Sequence, residues 1–407
     1  MRLVVQKFGG SSVANVDRIR EVAQSVKRAL RRGDRVVVVV SAMGKETDEL
    51  LRLANEVSST HPGREMDMLI TAGERKSIAL VCMALHDIGI PADSFTGSQA
   101  GFITDTNHRN AKILEINPIR VQASLDAGRV VVLAGAQGVS TDRDVTFLGR
   151  GGSDTTAVAI AKALDADLCE LYTDVTGVYT TDPRMVGNAR KMERISFAEM
   201  LEMTAVGCPK PVMRAVEVAS RFGVRLHVRS AFTWGDGTLV VPEDEIMEQA
   251  IVKAVVPDLS EAKITVSGVA DKPGIAARLF RALADADANV DMIVQNTSDA
   301  GITDISFTVP HEDLRIATST CEQFQADVGA TSVKADSSIA RVSVVGAGMK
   351  SNPGVAATMF ETLAANGINI EMISTSPIRV SCVVAESDID KAVNVLHDVY
   401  GLAESDG

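Results

Sequence analysis

Aromatic side chains are scarce in this 407-residue chain: they make up 4 %, with one tryptophan and three tyrosines. Hydrophobic residues at 46 % and 31 glycines go with that scarcity, a composition that fits an α/β globular protein of about two to three domains. The six histidines are spread without ligand spacing. Cys82, Cys169, Cys208, Cys321 and Cys382 are scattered, with no C-x-x-C and no histidine pairing. An odd, unclustered set reads as reduced thiols filling the core of a cytoplasmic protein, and it encodes no metal site. There is no Ser-His-Asp order, Cys-His nucleophile or H-E-x-x-H. Basic runs are too short for a nucleic-acid tract and the formal net charge is −12, which argues against polymer binding. The longest apolar stretches, Val36–Val40 and 130–136, are of buried-strand length, far short of a membrane span. Arg2 precedes only a four-residue strand start that Lys7 interrupts, so no signal peptide is expected.

Glycine and isolated charges carry the signal instead. Lys7-Phe8-Gly9-Gly10-Ser11-Ser12 follows the apolar start Leu3-Val4-Val5. Two glycines let a ligand approach the backbone and expose amide N–H groups, and Lys7 sets a point charge at the loop's mouth. Behind it Ile19, Val22, Ala23, Val26 and Leu30 form one apolar helical stripe, whose N-terminus favours an anion near the loop. This is a polyphosphate cradle, or else a tight turn. It is neither a Walker loop nor a dinucleotide fingerprint, since no Gly-Lys-Ser/Thr and no G-x-G-x-x-G is present.

A second cradle is Gly149-Arg150-Gly151-Gly152-Ser153-Asp154, ahead of a helix bearing Ala157, Ile160, Ala161 and Leu164, with Ser153 or Asp154 as its expected N-cap. A plain loop-to-helix join needs one glycine and one cap. Here three glycines surround an arginine whose planar fork suits a carboxylate or phosphate. Ser41 and Thr47 flank the loop after the five valines, where ligands lie in an open α/β sheet; a plain polar loop reads the same way. Glu74 shares a stripe with Ile78, Val81 and Leu85, so it faces a cleft, pairs internally or complements a helix dipole. Thr173-Asp174 opens a third polar loop at a strand end, running through Tyr179 to Asp182-Pro183-Arg184. Lysine, arginine, glycine amides and a few carboxylates suit phosphoryl transfer, which needs positioning and charge neutralisation more than covalent chemistry.

The first ~235 residues alternate strand and helix, predicting a mostly parallel sheet covered on both faces, with strands at Leu3–Gln6, Val36–Ser41, Val130–Ala134, Cys169–Thr173 and Leu226–Val228. The turn-rich, acidic 235–245 segment suits a domain boundary. Beyond it, Ile264–Phe280 recurs as Val342–Phe360, and Val290-Asp291-Met292-Ile293 is answered by Ile370-Glu371-Met372-Ile373. Each copy reads as a small split-βαβ unit with a Pro-Gly turn at a helix start. The copies are structural bulk or a site for a small zwitterion's carboxylate.

Together, Lys7–Ser12, Thr71-Ala72-Gly73-Glu74-Arg75, Gly149–Asp154 and Thr173–Arg184 resemble the aspartate kinases, in order and spacing, over essentially the whole chain. The tandem repeat resembles the paired ACT domains of those enzymes. The resemblance implies an amino-acid-kinase αβα sandwich over 1–248, then ferredoxin-like ACT units at 249–335 and 336–407. It implies ATP-dependent phosphorylation of the aspartate β-carboxylate to 4-phospho-L-aspartate, for lysine, threonine and methionine synthesis. Lys7, Arg150 and Asp154 are then the catalytic candidates, with Ser41, Thr47, Glu74, Arg150, Gly151, Gly152 and Ser153 around the substrate. In that arrangement Arg150 clamps the α-carboxylate, Glu74 pairs with the ammonium, and Ser41 and Thr47 orient the β-carboxylate or the adjacent phosphate. Lys7, Phe8, Gly9, Gly10, Ser153, Thr173, Asp174, Tyr179, Asp182, Arg184 and Lys210 line the ATP site, and magnesium arrives with ATP.

Lysine and/or threonine are the implied effectors, at Asp271, Asn289, Val290, Asp291 and Gln295 of the first unit and Val355, Ala356, Asn369, Ile370 and Ser376 of the second. The implied assembly is a homo-oligomer, or one with a shorter regulatory chain started near Met247, joined through the ACT units. Three positions depart from the family pattern. Pro209 stands where a lysine is usual and Lys210 is one residue later, Thr176 replaces a common aspartate, and Pro377 replaces a glutamate near the inhibitor. An amino-acid-sensing protein with an inactive kinase-like domain, and another amino-acid kinase such as glutamate 5-kinase or acetylglutamate kinase, are the rival readings.

Overall fold

The computed structural model describes residues 1–246, 250–296 and 301–403; the expected internal start near Met247 lies outside the described residues. The chain separates into two compact units. The first comprises Met1–Val178, Lys191–Thr204 and Pro209–Met247, and the second Tyr179–Arg190, Ala205–Cys208 and Glu248–Gly407.

The first unit is built on an eight-stranded sheet. Its spatial order is Arg194–Ser196, Thr238–Val241, Leu226–Ser230, Leu168–Thr173, Leu3–Phe8, Arg35–Val40, Val130–Ala134, Ala92–Phe95. All neighbours are parallel except Leu226–Ser230 against Thr238–Val241. The five valines 36–40 are all buried, as a parallel strand covered on both faces requires. Fully burying each such side chain contributes about 1.5–3 kcal/mol. On one face Phe8, Val38, Val40 and Val132 pack against Ile19, Val22 and Val26 of the helix Val16–Arg31 and Ile78, Val81 and Leu85 of the helix Ala72–Asp87. Side chains alternate along a strand, so Lys7 projects to the other face. There the helix Gly152–Ala163 lies over the Leu3–Phe8 strand, buried from Gly152 to Ala161. A second four-stranded sheet joins Ile113–Ile116, Phe102–Thr104, Gln137–Ser140 and Val145–Phe147.

The second unit holds two antiparallel four-stranded sheets, ordered Ile293–Gln295, Ile302–Pro310, Glu261–Ala270, Ser332–Asp336 and Ala254–Asp258, Ile339–Val345, Arg379–Ala385, Met372–Ser376. The first packs Leu279 and Leu283 against Ala317, Cys321 and Phe324; the second packs Met359 and Leu363 against Val393 and Leu396. Both Pro-Gly turns open a helix, with Gly274 at φ 96° and Gly354 at φ 110°. The strand Ala254–Asp258 precedes the first repeat copy yet pairs with Ile339–Val345 of the second, a difference from a simple split at 335/336. Basic residues at matching repeat positions tie the copies reciprocally: Lys263 pairs with Glu371, and Arg341 with Asp291.

Candidate functional site

Neighbouring strands change direction of connection at Leu3–Phe8, which lies between Arg35–Val40 and Leu168–Thr173. The carboxyl ends of these strands meet there, the usual ligand position in such sheets. Ser41 N–H donates to Phe8 O (3.1 Å), Gly44 N–H to Gly10 O (3.0 Å) and Gly135 N–H to Val40 O (2.9 Å), which stitches the loops into one rim. A Cβ on Gly10 would lie 3.0 Å from Gly44 O and 3.1 Å from Ala42 O, so a side chain there would crowd both carbonyls.

Lys7 Nζ lies 2.5 Å from Asp154 Oδ1, with both side chains almost fully buried. The ammonium also lies under Gly9, 3.3 Å from where a Cβ there would sit. Lys7 and Gly9 are thus brought together with Asp154, which is far away in sequence. Two expectations are corrected here. The helix behind the first loop is capped by Asn15, whose Oδ1 accepts from Arg18 N–H (3.0 Å), after an intervening 3₁₀ turn over Gly10–Val13. The Asn15 cap takes one of the first N–H groups of that helix beyond the turn, and Gly9 N–H itself donates to Tyr172 O (3.4 Å). Nor is Ser153 or Asp154 the N-cap of the later helix. Left-handed Gly151 (φ 72°) starts it one turn earlier, without a side-chain cap, and Ser153 and Asp154 lie in its first turn. Arg150, just before that uncapped end, is exposed.

Glu74 is 3 % exposed in the first turn of Ala72–Asp87, and its Oε1 accepts from Ala42 N–H (3.3 Å). Burial pushes its carboxyl up to about 7, against the pull of its own and the Ala42 backbone N–H, while Glu46 adds to the rise. Its Oε2 has no hydrogen-bond partner. Ser41 and Thr47 are half-buried at the same strand's end and in the first turn of the helix Glu46–Val57. At the next strand Thr173 is buried and its Oγ1 donates to exposed Asp174 (2.8 Å). Lys210, half-buried, precedes a cis peptide to Pro211.

The Tyr179–Arg190 stretch groups with the second unit instead of staying with the sheet edge that Thr173 ends. Val186 and Ala189 are buried in the second repeat's core with Tyr179 packed on it, and Thr180 Oγ1 bonds His397 Nε2 (2.9 Å). The apolar residues of this loop find cover there, which its polar turn signals hid. Arg184 holds Asp182 through a fork, at 2.6 Å from Nη2 to Oδ2. Of the expected effector positions, Asp271, Asn289, Asp291, Gln295 and Asn369 are exposed, Val355 is buried, and Val290, Ala356, Ile370 and Ser376 are half-buried.

Sequence reasoning missed a polar cluster on the opposite face of the same strands. Glu170 Oε2 accepts from Gln6 Nε2 (2.7 Å) and Tyr172 OH (3.1 Å), and Glu170 Oε1 from Arg229 Nη1 (2.9 Å). Tyr172 stacks on Phe8 at 4.6 Å. Gln6 and Glu170, polar residues inside apolar runs, were the available signal. Arg214 was missed too: it donates from Nη1 to Leu148 O (2.6 Å) and from Nη2 to Ala111 O (2.7 Å). The cysteines behave as expected: all five are free, and Cys82, Cys169, Cys321 and Cys382 are buried, which pushes their thiols up. Among the described residues no helix is long and apolar enough to cross a membrane.

A glycine-walled, lysine-centred rim on a parallel sheet, followed by two small repeated units, is the plan of a regulated amino-acid phosphotransferase. The amino acid kinase family model matches residues 2–230, and the ACT domain model matches 264–324 and 342–400. An aspartokinase of Mycolicibacterium smegmatis is 53 % identical, over 100 % of this chain and 98 % of that relative. E. coli aspartokinase III in complex with aspartate and ADP is similar in fold, with TM-score 0.82 and 24 % identity over 98 % of this chain and 99 % of that one. The same enzyme in complex with lysine and aspartate gives TM-score 0.76 and 25 % identity, over 98 % and 99 % of the two chains. The chain belongs to the aspartokinases, kinases that carry ACT domains.

Proposed function

We propose that this chain transfers the γ-phosphoryl group of ATP to the β-carboxylate of L-aspartate, the first step toward lysine, threonine and methionine. The buried Lys7–Asp154 pair carries the reading: an ammonium is held at the mouth of the sheet by one carboxylate, poised to exchange that partner for phosphate oxygens. In this reading Arg150 clamps the α-carboxylate, and the unpartnered Glu74 Oε2 takes the ammonium. Ser41 and Thr47 orient the β-carboxylate, and Ser153 with the uncapped Gly151–Gly152 helix start meets the phosphates. Thr173, Asp174, Tyr179, Asp182, Arg184 and Lys210 serve the nucleotide. The substrate carboxylate is itself the nucleophile, so no strong general base is needed. Magnesium carried in on ATP neutralises phosphate charge, and Asp174 offers it the hard oxygen donor it takes.

Lysine and/or threonine act at the ACT units, between copies already cross-tied by Arg341–Asp291 and Lys263–Glu371, and chains associate through those units. E. coli aspartokinase III, which binds aspartate with ADP or with lysine, supports both halves of this reading. A coupled ADP-release assay over a panel of amino acids, with and without lysine and threonine, tests it. Aspartate-dependent turnover is expected, and equal or greater turnover of glutamate or acetylglutamate would overturn it.

A further inference from the structure

The loop bearing Arg150 and the segment bearing Lys210 are more than 50 residues apart in sequence, yet one guanidinium binds them together. Arg214 sits in the first turn of the helix Met213–Phe222, four residues after Lys210. Its two terminal nitrogens donate to Leu148 O (2.6 Å) and Ala111 O (2.7 Å). Leu148 lies two residues before Arg150. Ala111 N–H in turn donates to Phe147 O (2.9 Å), which closes the hairpin loop onto the same stretch. The contact is tight elsewhere too. A Cβ on Gly151 would meet Val212 Cγ1 at 2.6 Å, and one on Gly149 would meet Asn110 Oδ1 at 2.8 Å. Loss of water on burial lowers the affinity of the Arg214 guanidinium for its proton, and Asp105 and Glu217 partly offset this.

We propose that Arg214 is a positioning residue that keeps the aspartate clamp, Arg150, in register with the nucleotide-side Lys210 segment. The inference rests on the roles given to Arg150 and Lys210 above. One planar fork with a donor to each of two backbone oxygens suits register better than a single-point ammonium would. In-line transfer demands that acceptor and phosphoryl be held together, and a misplacement near 1 Å costs on the order of 10²-fold in rate. A register defect therefore acts on kcat with both substrates saturating and leaves each KM nearly unmoved.

The test compares Arg214→Met, Arg214→Lys and Arg150→Ala in the full chain, with active sites counted by ADP titration calorimetry. Per titrated site, kcat for Arg214→Met should fall about 10²-fold with KM for aspartate and ATP little changed. Arg214→Lys, keeping one charged donor, should fall between it and the parent. Unchanged kcat per titrated site in either variant overturns the proposal, and Arg214→Lys suffices if Arg214→Met does not fold. Arg150→Ala separates the two layers. If it keeps the parental KM for aspartate, the clamp assignment fails, whereas a raised KM there beside parental kcat at Arg214 defeats only the register role.

Discussion

Lys7 and Asp154 share a burial that neither tolerates alone. Replacing Lys7 by methionine leaves the Asp154 carboxylate enclosed without its counter-charge, a change that costs about 3–5 kcal/mol of stability. It also removes the charge that meets the transferring phosphoryl group, so kcat should fall about 10²–10³-fold. The two effects separate in the Lys7→Met/Asp154→Asn double variant, in which urea denaturation should recover most of the stability while ADP release stays lost. Recovery of turnover in that variant would remove Lys7 from the chemistry. Glu74 makes a pH-dependent case. Its carboxyl is raised to about 7, so it is mostly neutral at pH 6 and mostly charged at pH 8. Only the charged form pairs with an ammonium. KM for aspartate should therefore fall as pH rises from 6 to 8, and Glu74→Gln should raise KM and flatten that slope. Of these residues, Lys7 and Glu74 were legible as charges on apolar patterns. The Lys7–Asp154 contact was not, because it joins the end of one strand to the first turn of a helix far along the chain that only the fold lays over it.

At the scale of elements, the legible parts were those with a strong period. The valine run, the Leu3 strand and the stripes behind both glycine loops fold as their patterns predict. Strands of three or four residues, such as Phe102–Thr104 and Val145–Phe147, carry too few side chains for a pattern and went unseen. Helix starts were misread where glycine replaced a side-chain cap, since a left-handed Gly151 leaves no cap residue to find. Glycine also sets an approach that no period shows. A Cβ on Gly73 would sit 2.7 Å from Ala42 Cβ, against the loop whose Ala42 N–H donates to Glu74. Gly73→Ala should push the Ala72–Asp87 helix off that loop and cost about 1–3 kcal/mol, despite alanine's better helix propensity. Chemical denaturation alongside the aspartate KM checks it, and a stabilised variant with parental KM would show that the contact yields freely.

For the whole molecule, the repeat announced two matching units, but the chain distributes its residues less simply. Ala254–Asp258 lies before the first copy and completes the sheet of the second, and Tyr179–Arg190 and Ala205–Cys208 leave the kinase unit to join the regulatory one. Such exchanges depend on which long-range partner covers an apolar stretch, which local patterning does not encode. One side chain gathers several of these pieces. Arg341, 2 % exposed, holds Asp258 and Glu261 at 2.9 Å each, pairs with Asp291, and donates to Ala205 O at 3.4 Å. Three carboxylates around one guanidinium are over-supplied with negative charge. Burial foremost, with Asp258 and Asp291 beside it, pushes Glu261 up to about 7 against the pull of Arg341. A carboxyl raised in the fold above its ordinary 4.5 favours the folded state fully below about pH 4.5, and that contribution is lost as pH rises through 7. Arg341→Met removes the one cation in the cluster, so it should destabilise the regulatory unit by about 3–5 kcal/mol at neutral pH. Without that cation Glu261 ionises at still greater cost, so the deficit should widen from pH 5 to pH 8 in thermal scans. Adding Glu261→Gln to Arg341→Met should narrow that widening, and a deficit equal at both pH values would show that Glu261 carries no part of it.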